Sequence, residues 1–246
     1  MSPTYIGLLI LLGVAVMAGI GFAVQDIENK KRERSLRLIT LKTAIRRASH
    51  LFEAFPPILI TSEIHSLLVK YIEVRWNAVV ELDGSESNRQ QQAAFQSMVS
   101  AAQEPVSHPS GSMTLFSNPN EAARALGVIK EFAQFVSEIK NKGELNGNTA
   151  DHLTMEAKRI YSRIEVDIDL MSAIETEQQQ GPEVVVHHYR SCFSKLNNLN
   201  RNQELDRQLY EIRTHLTQLA EQIDQANEEK RIAKEQEIDT GKKFNF

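Results

Sequence analysis

Seven histidines, one cysteine and 32 acidic residues are the side chains with which this chain can do chemistry, and their spacing decides which chemistry is open to them. A helical zinc site needs two histidines four residues apart, and no pair is so spaced. His187 and His188 are adjacent, so a helix points them about 100° apart, the wrong geometry for one metal. A di-iron bundle needs Glu-x-x-His, and no histidine has a glutamate three residues before it. His152 with Glu156, Glu183 with His187 and Glu211 with His215 are one-turn neighbours that read as surface ion pairs. Cys192 follows His188 by four residues, so thiol and imidazole can share a face. A Cys–His nucleophile also needs an orienting third group and an oxyanion site. Beside Phe193 and Leu196, the cysteine reads as a small core residue. Ser137 and Lys140 match Ser-x-x-Lys without the motif's companion elements. Glu165 and Asp169 lie one turn apart with Asp167 on another face, a pattern that reads as solvated surface. Neither a Walker pattern nor a dinucleotide fingerprint occurs beyond the first apolar run. The expectation is a non-enzymatic protein with no catalytic, cofactor-binding or metal residues and no cofactor.

What must position these side chains begins with an apolar run. Residues 5–24, from Tyr5 to Val24, carry no charge. As a helix they span roughly 30 Å, the thickness of a bilayer's hydrocarbon core. No Lys or Arg precedes them, and Lys30, Lys31, Arg32, Arg34 and Arg37 follow. That asymmetry predicts a single-pass anchor in a cell inner membrane, with residues 1–4 outside and the body cytoplasmic. A cleaved signal peptide would want the positive charge in front and a small-x-small site behind, but the charge is on the other side and Phe22-Ala23-Val24-Gln25 is a poor cleavage site. One cysteine allows no internal disulfide, and Asn-x-Ser/Thr is absent, both in keeping with a cytoplasmic body. Ala15, Gly19 and Ala23 recur every four residues, a small-residue face on which two such helices can pack. Between Asp26 and Ile60, eight basic residues face four acids, a stretch of +4 in a chain of −4. The five nearest the run are expected to contact anionic lipid head groups. The remainder is acidic and offers no continuous positive surface, so nucleic acid is not the expected partner.

Beyond the run, prolines and glycines fall at the ends of helical patterns, with Gly127 alone inside one. The fold class predicted is all-α. A basic juxtamembrane helix and a helical hairpin fill residues 25–103. The first stripe is Leu38, Leu41, Ile45, Ala48, Phe52 and Phe55, ended by Pro56-Pro57. The second is Ile64, Leu68, Tyr71, Ile72, Trp76 and Val79, and a weaker third covers about Ser87 to Gln103. Residues 104–118 read as a linker, rich in Pro, Gly and Ser. A second hairpin covers 119–180, opened by a capping box at Asn118, Pro119 and Glu121, its second helix starting near Asn148. One long, coiled-coil-prone helix is expected over 183–238, then a flexible tail over 239–246. Its seam is Leu205, Leu209, Ile212, Leu216, Leu219 and Ile223, at alternating spacings of four and three. The seam either pairs between chains or packs back on its own bundle. Flanking positions such as Gln208 carry no clear charge code.

These features predict a membrane-anchored helical adaptor or scaffold that works through protein–protein contacts. Its partners are membrane lipid, a protein of unspecified identity and its own copies in a homo-oligomer. The alternative is a membrane-tethered regulatory bundle that binds a small ligand, with Tyr71, Trp76, His152 and Tyr161 lining an apolar pocket.

Overall fold

The computed structural model describes the backbone of residues 3–100, 108–201 and 203–243, and the side chains of Met17, 25–100, 108–201 and 203–235. Among the described residues there are seven helices and no strand, so the chain is all-α. They are α1 (Pro3–Ala54), α2 (Ser62–Leu82), α3 (Glu86–Ser100), α4 (Pro119–Asn141), α5 (Gly147–Gln180), α6 (Pro182–Leu199) and α7 (Asp206–Lys243). Among the described residues no helix is long and apolar enough to cross a membrane. The run over 5–24, with Ala15, Gly19 and Ala23, lies outside the residues whose side chains are described, Met17 apart.

Two compact units divide the chain. The first holds residues 1–53 and 65–102. Here α1 leaves its side chains from Gln25 to Arg37 exposed and buries Ile45, Ala48 and Leu51 further on. In α2, Leu68, Ile72, Trp76 and Val79 are buried at spacings of four and three, the expected stripe. Phe95 of α3 meets Phe52 of α1 edge-on, with ring centroids 6.3 Å apart. The turn between α2 and α3 is set by Asp83, which accepts from Asn88 Nδ2 at 2.8 Å and from the Ser85 amide at 3.3 Å. Asn88 is buried and its Nδ2 also donates to the Asp83 carbonyl at 2.9 Å, so a polar residue in the core costs little.

The second unit holds residues 54–64 and 103–246. In it α4 packs on α5, α5 on α6 and α6 on α7. The start of α4 is the capping box read from sequence. Asn118 Oδ1 accepts from the Glu121 amide at 3.0 Å, and Glu121 reaches back to the Ser117 amide at 3.2 Å. Its buried face is Ala122, Ala125, Ile129, Phe132, Phe135, Val136 and Ile139. Asn146, rather than Asn148, caps α5, accepting from the Asn148 amide at 2.9 Å. Gly181, with φ +86°, separates α5 from α6.

Two expectations change here, and the open question of the seam is answered. The single helix over 183–238 is two helices, because the chain breaks after Leu199. Asn200 takes the place of helical bonding: its Oδ1 accepts from the Leu205 amide at 3.1 Å and its Nδ2 donates to Asp206 at 2.7 Å. Past 238, α7 continues to Lys243, so the first part of the tail over 239–246 is helical. The seam faces inward: Leu205, Leu209, Ile212 and Leu219 are buried in one core with Val185, Tyr189, Cys192 and Leu196, and Leu216 packs against it. Ile223 is half-buried. Burying each such aliphatic side chain is worth about 1.5–3 kcal/mol, so the stripe is committed to its own bundle. Beyond Leu219, no described residue of α7 is buried.

Candidate functional site

The stretch read as a linker over 104–118 is, in its described part, a strap fastened across α5 and α7. Asp167 of α5, fully buried, accepts from the backbone amides of Leu115 at 2.7 Å and Phe116 at 3.2 Å. Gln208 of α7, also fully buried, donates to the Met113 carbonyl at 3.0 Å and to Asp167 Oδ1 at 3.2 Å. Glu211, one turn further along α7, accepts from the Gly111 amide at 3.0 Å. Gly111 has φ +77°, a conformation that glycine adopts without strain. His108 donates from Nε2 to the Ser112 carbonyl at 2.6 Å, while its buried Nδ1 meets no hydrogen-bond partner. Buried backbone groups without partners are costly, and this strap has its amides answered by side chains from two helices.

Burial shapes the charges around the strap. Desolvation pushes the Asp167 carboxyl up to about 6, against the pull of the Leu115 and Phe116 amides and of Arg163. Arg163, one turn before it on α5, is drawn down to about 10 by burial, with Asp167 and Glu204 opposing. Its Nε and Nη2 both donate to Gln208 Oε1 at 3.3 Å. Burial also lowers His108, with the Ser112 carbonyl opposing. Asp167 is inaccessible and its oxygens are occupied, so it is a fastening group rather than an acid or base for a substrate.

Beside this network lies a cavity of about 630 Å³. Ile58 to Ser62 form one wall, α5 contributes Glu156, Arg159, Ile160 and Arg163, and the α6–α7 turn contributes Leu199 and residues 203–207. His108 lines it too. Six lining residues are charged, Glu156, Arg159, Arg163, Glu204, Asp206 and Arg207, and they face an aliphatic wall that includes Ile60, Ile160, Leu199 and Leu205. Arg159 is held between Glu156 at 2.6 Å and Glu204 at 2.7 Å. A shallower groove of about 430 Å³ runs past His152, Met155 and Asn198.

The chain stands apart. No family model matches it, and neither does a curated protein or a solved structure.

The described residues singled out from the sequence do not converge on one site. Lys30, Lys31, Arg32, Arg34 and Arg37 are all exposed on α1. The three one-turn pairs each find other partners. His152 pairs with Glu63 at 2.9 Å and Glu156 with Arg159. Glu183 pairs with Lys230 at 3.0 Å. Glu211 binds Arg207 at 3.0 Å, and His215 meets Glu177 at 2.8 Å. Cys192 is buried and its thiol is raised to about 11 by desolvation, which suits a core residue and not a nucleophile. Trp76 and Tyr71 belong to the first unit, and Tyr161, under Lys130 at 5.4 Å, lines neither described cavity. Of the four residues expected around a ligand, His152 alone lines one, the shallower groove. Among the described residues no group of three or more His, Cys, Asp or Glu is placed to hold a metal ion.

Sequence reasoning missed Asp167, Arg163 and Gln208. A signal for the first was present: Ile160, Ile164, Asp167, Leu170 and Ala173 recur at spacings of three and four, so the carboxylate occupies an apolar position of its helix.

Proposed function

We propose that the chain is a single-pass, membrane-anchored adaptor whose helical body faces the cytoplasm and acts through protein–protein contacts without catalysis. The observation that carries this reading is the continuity of α1. It runs unbroken from Pro3 to Ala54, so the apolar run and the basic residues behind it share one rod. Lys30, Lys31, Arg32, Arg34 and Arg37 are exposed along it, available to anionic head groups at about 1 kcal/mol each. Exposed Ile27, Leu36 and Ile39 on the same rod, and Tyr210 and Ile232 on α7, offer apolar contact points for a protein partner. With the α7 stripe occupied by its own core, self-association falls to the small-residue face of Ala15, Gly19 and Ala23.

The test is carbonate extraction of the full chain from vesicles, with a topology reporter fused after Phe246. The chain is expected to stay with the lipid and the reporter to be active on the cytoplasmic side. Release into the supernatant, or a reporter active outside, overturns the reading.

The cavity favours a second reading, in which the tethered body also binds a small ligand. An apolar wall with a charged rim, about 630 Å³ in volume, supports it. The readout is a rise in melting temperature with a fitting ligand, which a pure scaffold does not show.

A further inference from the structure

We infer that the cavity beside the strap is a binding site for a small organic anion, with an apolar body against Ile60, Ile160, Leu199 and Leu205 and its carboxylate or phosphate on Arg163. The inference rests on the ligand-binding reading and names the chemistry of that ligand.

Three guanidinium groups line the cavity, and they are not equivalent. Arg159 lies between two carboxylates, Glu156 and Glu204. Arg207 is paired with Glu211. Arg163, the most deeply set, bonds through Nε and Nη2 to the neutral amide oxygen of Gln208, and among the described residues no carboxylate comes within ion-pair distance of it. Asp167 and Glu204 act on it through space, without an ion-pair contact.

This arrangement is built rather than incidental. Gln208 is itself fixed by the Met113 carbonyl and Asp167, so its Oε1 can only face Arg163. The amide therefore aims the guanidinium without neutralising it, and Nη1 keeps its donors for a ligand. A buried cation lacking a full counter-charge is stabilised most by an anion that brings one. Arg is the side chain suited to receive a carboxylate or phosphate through paired N–H donors. The aliphatic wall supplies the rest of the selectivity, because an inorganic ion leaves it uncovered. Burial lowers the proton affinity of Arg163, and Asp167 and Glu204 offset this only in part.

The experiment uses the full chain in lipid nanodiscs, with empty discs as the blank. The probes are 3-phenylpropionate, phenyl phosphate, inorganic phosphate and the neutral 3-phenylpropanol, followed by titration calorimetry and thermal shift. The two organic anions are expected to bind at least about tenfold more tightly than the alcohol, the value of one charge-assisted hydrogen bond. Inorganic phosphate is expected to bind more weakly than phenyl phosphate. Arg163→Met is expected to erase the preference for anions, and Arg163→Lys to keep part of it, which holds the test open if the methionine variant folds poorly. Equal binding of anions and alcohol overturns the anion assignment while leaving a ligand cavity in place. Binding of none of the probes overturns the cavity reading as well. A preference that survives in Arg163→Met, or inorganic phosphate matching phenyl phosphate, also sinks the inference.

Discussion

Two polar clusters bridge α5 to α7 in the second unit, about 15 Å apart along α5 at the helical rise. They solve the same problem differently. At the later one, Glu177 of α5 accepts from the Tyr189 hydroxyl at 2.7 Å and meets His215 Nε2 at 2.8 Å, with the tyrosine and histidine rings edge-on at 5.0 Å. Glu177 Oε2 serves both partners, and Glu177 and His215 still touch water, each about a quarter exposed. At the earlier one, Asp167 is sealed from solvent and answers two amides and Gln208, while Arg163 is left with a neutral partner. A closed, partly wet network stabilises a helix packing and leaves nothing over for a ligand. A sealed carboxylate and amide that hold a half-buried cation beside a cavity leave binding capacity over. The difference separates fastening from recognition within one helix bundle.

The sharpest way to break that contrast is to remove each carboxylate. Asp167→Ala strands the Leu115 and Phe116 amides and leaves Arg163 with Glu204 as its remaining opposing charge. Urea unfolding should show a loss of about 3–5 kcal/mol, in line with breaking a buried charge cluster. Glu177→Ala should lose about 1–2 kcal/mol, because water reaches the groups it leaves. Equal losses would mean that the two clusters do not differ in kind.

The second test uses pH. With an ordinary value of 3.8 raised to about 6 in the folded chain, Asp167 binds its proton more tightly folded than unfolded. Its contribution to stability is therefore fully present below about 4 and is lost as pH rises through about 6. The gap corresponds to up to about 3 kcal/mol, read as the difference between the native chain and Asp167→Asn across that window. A flat difference would show that the amides and Gln208 fully offset the desolvation.

Much of this architecture was legible locally, and the earlier cluster was not. Asn118, Pro119 and Glu121 announce α4 because a cap is made by residues three apart in sequence. The stripe of α2 was readable because burial follows the helical period. The break at 200–205 was missed because no proline or glycine marks it. Asn197, Asn198 and Asn200 were the available cue, since asparagine side chains replace backbone partners in turns. Asp167 was read as surface from its acidic neighbours, yet Glu165 and Asp169 are exposed while it is sealed. Its amide partners lie 51 and 52 residues away on the strap, a pairing that periodicity on α5 does not encode. Gln208 was hidden in the same way, standing among the seam leucines as an uncharged flank.

The smallest effect belongs to Tyr189, and it isolates what the wet cluster contributes. Its ring is fully buried with Val185, Cys192 and Leu196, and burial together with the Glu177 bond raises the phenol's proton affinity. Tyr189→Phe keeps the ring and the packing and removes one hydroxyl. Glu177 retains His215 and gains water at its exposed side, so no buried acceptor is left unanswered. The expected cost by thermal unfolding is about 1 kcal/mol, the ordinary net value of one hydrogen bond. Binding of organic anions at Arg163 should be unchanged in this variant, since the two clusters share no hydrogen bond. A loss several times larger, or a change in anion affinity, would join the two ends of the core into one cooperative network and remove the division between fastening and recognition.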